Sequence, residues 1–444
     1  MRLKNLLSAK IIIACTFLFI LMSTKSFSQN VGINNPTPDA SSLLDLTSTD
    51  KGLLVPRMTT GQRTGISLPA TGLLVYDGTL NQFYYYDGAQ WKSLFTSSTG
   101  WGLPGNTGTN PAINFVGTAD NQPLAFKVNN AKAGLIDQIN HNTSLGYLSF
   151  NNNVGGYGNV AIGDSTSYYS NSWFNTVIGQ NAGINNTGSW TTIIGIDAGR
   201  NNTANGNVFI GSSTGRNNTT GGWNTAVGDN ALLFNTLATH ITAGGYSSLR
   251  NNTTGNYNTA YGAFSMYSNT TGIRNSAFGT SAQYWNLGSD NTSMGYESLN
   301  SNTTGIQNVA VGSNALHQNQ TGSSIVAIGD SALFNNSFVS NLIAIGHAAL
   351  RSNVAGTRNI AIGSNAARQN NGSLNIGIGD SSMYANTTGS SNIAMGANAL
   401  RTNTTGSRNI AVGNFAMTNY NNNSGQVAIG DSALYSQTSW FGNT

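Results

Sequence analysis

The chain of 444 residues contains one cysteine, Cys15. It sits in the apolar stretch Ile11–Met22, which follows Arg2, Lys4 and Lys10 and leads to Ser26-Phe27-Ser28. A basic start, a short apolar core and a small-x-small exit read as a secretory signal over residues 1–28. The apolar run of about twelve residues is too short to span a bilayer, which takes ~20. Once the signal is removed the chain has no thiol, which excludes a disulfide framework and thiolate chemistry. Charge is also scarce: 8% of residues are Asp, Glu, Lys or Arg, against about 25% in an ordinary soluble domain. Four of the nineteen basic residues (Arg2, Lys4, Lys10, Lys25) leave with the signal, and the remaining fifteen equal the fifteen acids. With no basic excess to track phosphates, nucleic acid is not an expected partner. Scarce charge at 39% hydrophobic residues is not the composition of a disordered chain either.

What the sequence has instead is glycine, asparagine and a short repeat. Glycines recur from Gly146 through Gly163, Gly179 and Gly195 to Gly413 and Gly430, eighteen in all and every 16 or 17 residues. Helical repeats need 30 or more residues, so a coil of strands and turns is expected. Three residues before the landmark glycine, seventeen of eighteen positions are Val, Ile or Thr, and the residue just before it is apolar except at Gly244. A small residue such as Ala161, Ala310 or Ala428 usually lies between. Large–small–large with β-branched ends predicts a strand with one packed face. Ala, Ser or Thr stands three after the glycine in all eighteen coils, often followed by Leu or Met, which predicts a second, shorter strand. Seven after the glycine, fifteen coils have Asn, and Asn-Thr-Thr-Gly turns recur, as at 252–255 and 302–305. Asn and Gly both accept the turn conformations such corners require. In-register Asn stacked coil on coil can also pass amide hydrogen bonds along a column.

The fold class is therefore all-β: a parallel β-roll or β-solenoid of about eighteen coils over residues 142–444. Eighteen coils at ~4.8 Å give a length of roughly 85 Å. One coil buries few apolar side chains relative to the entropy of ordering it, so burial against other subunits is expected.

Asn-Val-Ala-Ile-Gly at 159–163, its variants at 308–312 and 359–363, and the Ala-Leu that follows in coils such as 312–316 resemble the head repeat of YadA-like trimeric autotransporter adhesins. The resemblance covers about 300 residues and implies a left-handed β-roll, a homotrimer and an adhesive role. The adhesin repeat is shorter, and the longer Asn-Thr-Thr-Gly turn is similar to that of bacterial secreted tail-fibre-domain proteins. Residues 29–98 support the second comparison through Lys51–Thr60, Thr71–Tyr76 and Phe83–Gly88. In that β-rich module Thr59-x-x-Gln62 is a capping box opening a short helix. Leu73–Asp77, Phe83–Tyr86 and Trp91–Phe95 read as strands. Residues 99–141 read as a linker that caps the first coil, since solenoid ends need covering.

Catalytic patterns dissolve on inspection. Gly-Asp-Ser at 163–165, 329–331, 379–381 and 430–432 resembles an esterase motif, but four copies in one repeat turn, none with a matched histidine, are a turn signal. His141, His240, His317 and His347 occupy unrelated repeat positions and cannot converge on a metal. No enzyme activity, cofactor or metal is expected. The position five after the glycine is more suggestive. It carries Arg200, Arg216, Arg250, Arg351, Arg368 and Arg401, with Tyr267, Tyr284 and Tyr384 among its aromatic residues. Arg and aromatic side chains in one column are the composition of contact surfaces, a candidate stripe for a host or surface glycan or protein. The competing reading is that these long side chains cover the roll's edge or pack between subunits.

The expected function is an exported structural and adhesive fibre protein, at the outer membrane surface or extracellular. The alternative is a phage-tail-like fibre component in which the roll is a spacer. Gly442-Asn443-Thr444 matches the lead-in of another coil, so a longer protein is expected, with any membrane attachment through an anchor beyond Thr444.

Overall fold

A computed structural model describes residues 30–94, 109–110, 112, 114–152, 155–419 and 422–436. The signal segment and the lead-in at 442–444 lie outside the described residues. The chain divides into two compact units, residues 1–116 and 117–444.

In the first unit, β1 (Val31–Ile33) pairs in parallel with β2 (Leu44–Leu46). A four-stranded sheet follows: β3 (Arg57–Met58), β4 (Leu74–Asp77), β5 (Gln82–Tyr86) and β6 (Trp91–Ser93), with helix α1 (Thr60–Thr64) after β3. Thr59 caps that helix as its sequence requires. Its hydroxyl accepts the Gln62 N–H at 3.3 Å, while the Gln62 carboxamide accepts the Thr59 N–H at 2.8 Å. Against the sheet, the buried Arg63 Nε donates to the buried Asp77 Oδ2 at 2.9 Å. The Arg63 guanidinium lies 3.9 Å from the Tyr84 ring centre and 5.6 Å from that of Trp91.

The second unit begins with the antiparallel hairpin β7 (Leu124–Val128) and β8 (Ala131–Asp137), and β8 runs antiparallel to β9 (Asn142–Leu145). From β9 to β26 (Val427–Ile429), eighteen strands among the described residues, each pairs in parallel with the next. The register is in step with the repeat: Val309, Ala310 and Val311 face Val326, Ala327 and Ile328. The all-β solenoid of 16–17-residue coils is thus the observed fold.

The packed face of the strand, which the alternation left open, is that of the small residue: Ala310 is buried while Val309 and Val311 are partly exposed, and the same pattern recurs along the sheet. The reason is the narrow interior. The side chain four after the glycine reaches across it, so Leu316 or Leu333 leaves room only for alanine opposite. Where the strand supplies a large inward residue, the opposite position is glycine: Val177 with Gly183, Ile193 with Gly199, Phe209 with Gly215. A Cβ on Gly215 would stand 2.6 Å from the Phe209 ring. In these coils a large residue on one wall is matched by a small one on the other.

The second strand does not form. The residues two and four after the glycine, such as Asn314 (φ 55°) and Leu316 (φ 54°), adopt left-handed backbone. This alternation curls the chain, yet its amides still pair across coils, as in Leu316 N–H to Ala332 C=O at 2.9 Å. The landmark glycine is dictated by two facts together. Gly312 has φ 128°, and a Cβ there would meet the Gly329 carbonyl carbon at 2.6 Å.

Two asparagine columns seal the interior. Along one, Asn302 Nδ2 donates to Asn286 Oδ1, Asn319 Nδ2 to Asn302 Oδ1 at 2.8 Å, and Asn336 Nδ2 to Asn319 Oδ1 at 3.1 Å. Asn302 and Asn319 also close their own turns on the Gly305 and Gly322 carbonyls. In the other column Asn291 Oδ1 accepts the Asn308 N–H at 3.0 Å, and Asn291 Nδ2 donates to the Gly305 carbonyl at 2.9 Å. Most of these buried amides are satisfied by equivalent side chains or by backbone groups of adjacent coils, Asn269 and Asn336 each leaving its Oδ1 without a partner, and the in-register pairing holds coils at one spacing.

Candidate functional surfaces

The Arg and aromatic column five after the landmark glycine forms along one edge of the solenoid, and its members engage one another. Arg200 Nη1 lies 3.2 Å from Asp197 and Arg216 Nη2 3.9 Å from the same carboxylate. The Arg250 guanidinium sits 4.9 Å from the Phe234 ring centre and donates to the Tyr267 hydroxyl at 3.2 Å. Tyr267 stacks on Tyr284 with ring centres 5.0 Å apart. Burial and the charge of Tyr267 raise the Tyr284 pKa above the ordinary tyrosine value. Arg351 lies over Phe334, and Phe334 stacks on His317. Arg368 donates to the Tyr384 hydroxyl at 2.8 Å, and Arg401 lies 5.8 Å from the same ring centre. All nine residues of the predicted stripe therefore occupy one column, in four local groups of Arg with Asp, Tyr or Phe. A ligand there would compete with these contacts. Beside the second group is a recess of about 460 Å³ lined by Ser268, Trp285, Leu287 and Thr303.

The Gly-Asp-Ser turns have a geometry unlike that of a nucleophile. In the copy at 329–331, Ser331 Oγ donates to Asp330 Oδ2 at 3.1 Å, and His347 Nε2 approaches that carboxylate at 3.6 Å. The carboxylate stands between hydroxyl and imidazole, so the imidazole does not receive the serine proton. Among the described residues no three of His, Cys, Asp and Glu cluster as a metal site would require.

A surface that sequence reasoning missed is the outer face of the parallel sheet, because the large–small–large alternation does not say which face points out. From β19 (Val309–Val311) to β26, all eight residues three before the glycine are Val or Ile, as are most of those just before it. In the ten coils before that, eight of the corresponding positions are Thr or Ser. The switch from hydroxyl to aliphatic could have been read from the repeat alignment, given which face points out. The first unit also leaves apolar side chains uncovered within one chain, among them Leu43, Leu53, Leu54 and Leu68.

A long parallel β-solenoid, with a small β-rich unit in the same chain, is the architecture of a structural fibre protein. Residues 32–110 match the family described as a phage tail-like trimerisation region. That match supports a homotrimer, fits a tail-fibre-like protein, and with the fold points to a non-enzymatic role. No curated protein matches the chain.

Proposed function

We propose that the chain is one subunit of an exported, homotrimeric fibre that presents its solenoid at the bacterial surface or outside the cell for adhesion. The observation that carries this reading is the trimerisation match at residues 32–110, in a chain whose first unit and outer sheet face both expose aliphatic side chains. Monomeric proteins rarely leave contiguous apolar patches beyond a few hundred Å² uncovered. Copies brought together by the trimerisation region would cover them. The Arg and Tyr column from Arg200 to Arg401 is the proposed contact stripe for a glycan or protein on the surface that is bound.

A second reading is favoured by the same match: a phage-tail-like fibre component in which the solenoid is a spacer. Two measurements test the proposal. Sedimentation equilibrium of residues 29–444 is expected to give three times the chain mass, and a stable folded monomer would overturn the trimer. Residues 1–28 fused to a reporter are expected to direct its export, and retention in the cytoplasm would overturn the exported fibre. Binding of the fibre to cells or matrix, lost on Arg250→Ala and Arg368→Ala, separates adhesin from spacer.

A further inference from the structure

Five residues before each landmark glycine the backbone is left-handed, from His141 (φ 53°) to Arg408 (φ 59°). Glycine or asparagine would fit this corner at least cost. In the first eight coils, however, every one of these positions is aromatic, histidine or glycine: Phe174, Trp190, Trp223 and Tyr257 are among them. In the ten coils that follow none is aromatic. The first of those carries Arg274, bonded to Asp290 of the next coil at 2.6 Å. A large ring in strained backbone is stable when burial offsets the strain, yet Trp190 is 53% exposed and Trp223 60%. The two glycines do not break the column. A Cβ on Gly158 would stand 2.8 Å from the Phe174 ring, and one on Gly206 2.4 Å from the Trp223 ring. Each glycine lets the ring of the next coil lie over its backbone.

Two residues further along the same coils is the hydroxyl column of the outer sheet face, with Thr176, Thr192, Thr225, Thr242 and Thr259. One buried residue separates the two columns in each coil; it is Asn224 between Trp223 and Thr225. Neither column carries Asp, Glu, Lys or Arg from His141 to Tyr261. Six of the eight coils with the aromatic column carry threonine in the hydroxyl column, Val160 and Val208 being the exceptions, and this column turns wholly aliphatic only from β19 on. The outer surface thus changes chemistry along its length.

We propose that this band, from His141 to Tyr261, binds an uncharged polysaccharide lying along the solenoid. The negative faces of exposed rings accept the C–H faces of pyranoses. Threonine hydroxyls beside them both donate and accept hydrogen bonds with sugar hydroxyls. The coil step of ~4.8 Å is comparable to the length of one hexose in an extended chain, so successive coils meet successive sugars. A nucleic-acid strand would also stack on rings, but it needs a basic groove, and this band has no cation other than its histidines. An acidic glycan is disfavoured for the same reason. The site is distinct from the Arg and Tyr column and does not depend on whether the fibre adheres or spaces.

The test is affinity gel electrophoresis of the full mature chain in gels containing hydroxyethylcellulose, galactomannan or laminarin, with alginate as the acidic control. The double variant Trp190→Gly, Trp223→Gly places at both corners the residue already used at positions 158 and 206, and circular dichroism checks its fold. At least one neutral polymer is expected to retard the wild-type chain. The double variant should bind it about tenfold more weakly, the worth of two stacking faces, while Arg250→Ala binds as wild type. No retardation by any neutral polymer, or equal retardation of the double variant, overturns the proposal. So does retention by alginate alone that Arg250→Ala abolishes, because binding then belongs to the Arg and Tyr column. A change in sedimenting mass of the double variant would overturn it too, by making the band an interface between copies.

Discussion

Asn302 shows how much one side chain does in this fold. It is buried, donates to the coil before and to its own turn, and accepts from the coil after. Replacing it with alanine removes three buried hydrogen bonds at once, although the Gly305 carbonyl keeps Asn291 and the Asn319 amide keeps the Gly322 carbonyl. A loss of about 1–3 kcal/mol is expected, read as a lower urea midpoint at unchanged slope. Trp190→Gly is expected to act in the opposite direction from most aromatic deletions. It removes a left-handed strain of roughly 1–2 kcal/mol at a half-exposed ring, so the urea midpoint should hold or rise. In the first unit, Asp87 accepts the Gln90 and Ala89 amides and the Lys92 ammonium, which lowers its pKa to about 2. Because the folded value lies below the unfolded one, the stabilisation is complete above the ordinary carboxylate value of ~3.9 and fades as pH falls towards 2. Acid titration followed by tryptophan fluorescence should show the hairpin around Trp91 loosening in that window. Asp87→Asn should flatten the response.

At the scale of the element, the coil is held by a compensation across its narrow interior. Phe209→Ala is expected to cost about 3–5 kcal/mol, since Gly215 opposite offers nothing to fill the cavity. Gly215→Leu alone should also destabilise, by collision with the Phe209 ring. The double change restores the alanine–leucine pairing of neighbouring coils, such as Ala226 with Leu232. A double-mutant cycle by denaturant titration should therefore show strong favourable coupling, and additive losses would refute the compensation. The strand before the landmark glycine, the turn positions and the Asn columns were legible in the sequence, because the in-register repeat averages local signals over many coils. The inward direction of the strand was not, because large–small–large reads the same whichever face is buried. The left-handed curl after the glycine was equally hidden. Leu316 and Met383 are poor residues for that backbone, and only their burial in the core accounts for them.

For the whole molecule, the aliphatic outer face from β19 to β26 is the feature that a single chain leaves unresolved and a trimer would cover. Ile360→Asp with Ile376→Asp puts charge in that face without touching the interior. Thermal unfolding of the trimer is expected to move to lower temperature, while Thr192→Asp on the hydroxyl half leaves it nearly unchanged. Equal effects would separate the aliphatic face from assembly. The Arg and Tyr column could be named residue by residue from the sequence, since spacing alone puts those positions on one edge. That Arg250, Arg368 and Arg401 spend their guanidinium groups on Phe234, Tyr267 and Tyr384 could not be read, because side-chain pairing across coils depends on rotamer and reach.

The sequence by itself determined the repeat length, the parallel stacking and the turn chemistry, because identical residues at a fixed spacing allow hydrogen bonds only between equivalent positions. It also determined the capping box at Thr59, a contact three residues long. Only the tertiary structure decided which strand face is core, since that follows from what the opposite wall of the coil leaves room for. It likewise decided that Arg63 and Asp77, fourteen residues apart, form a buried pair under Tyr84. Such a contact arises when separate elements pack, and neither spacing nor composition encodes it.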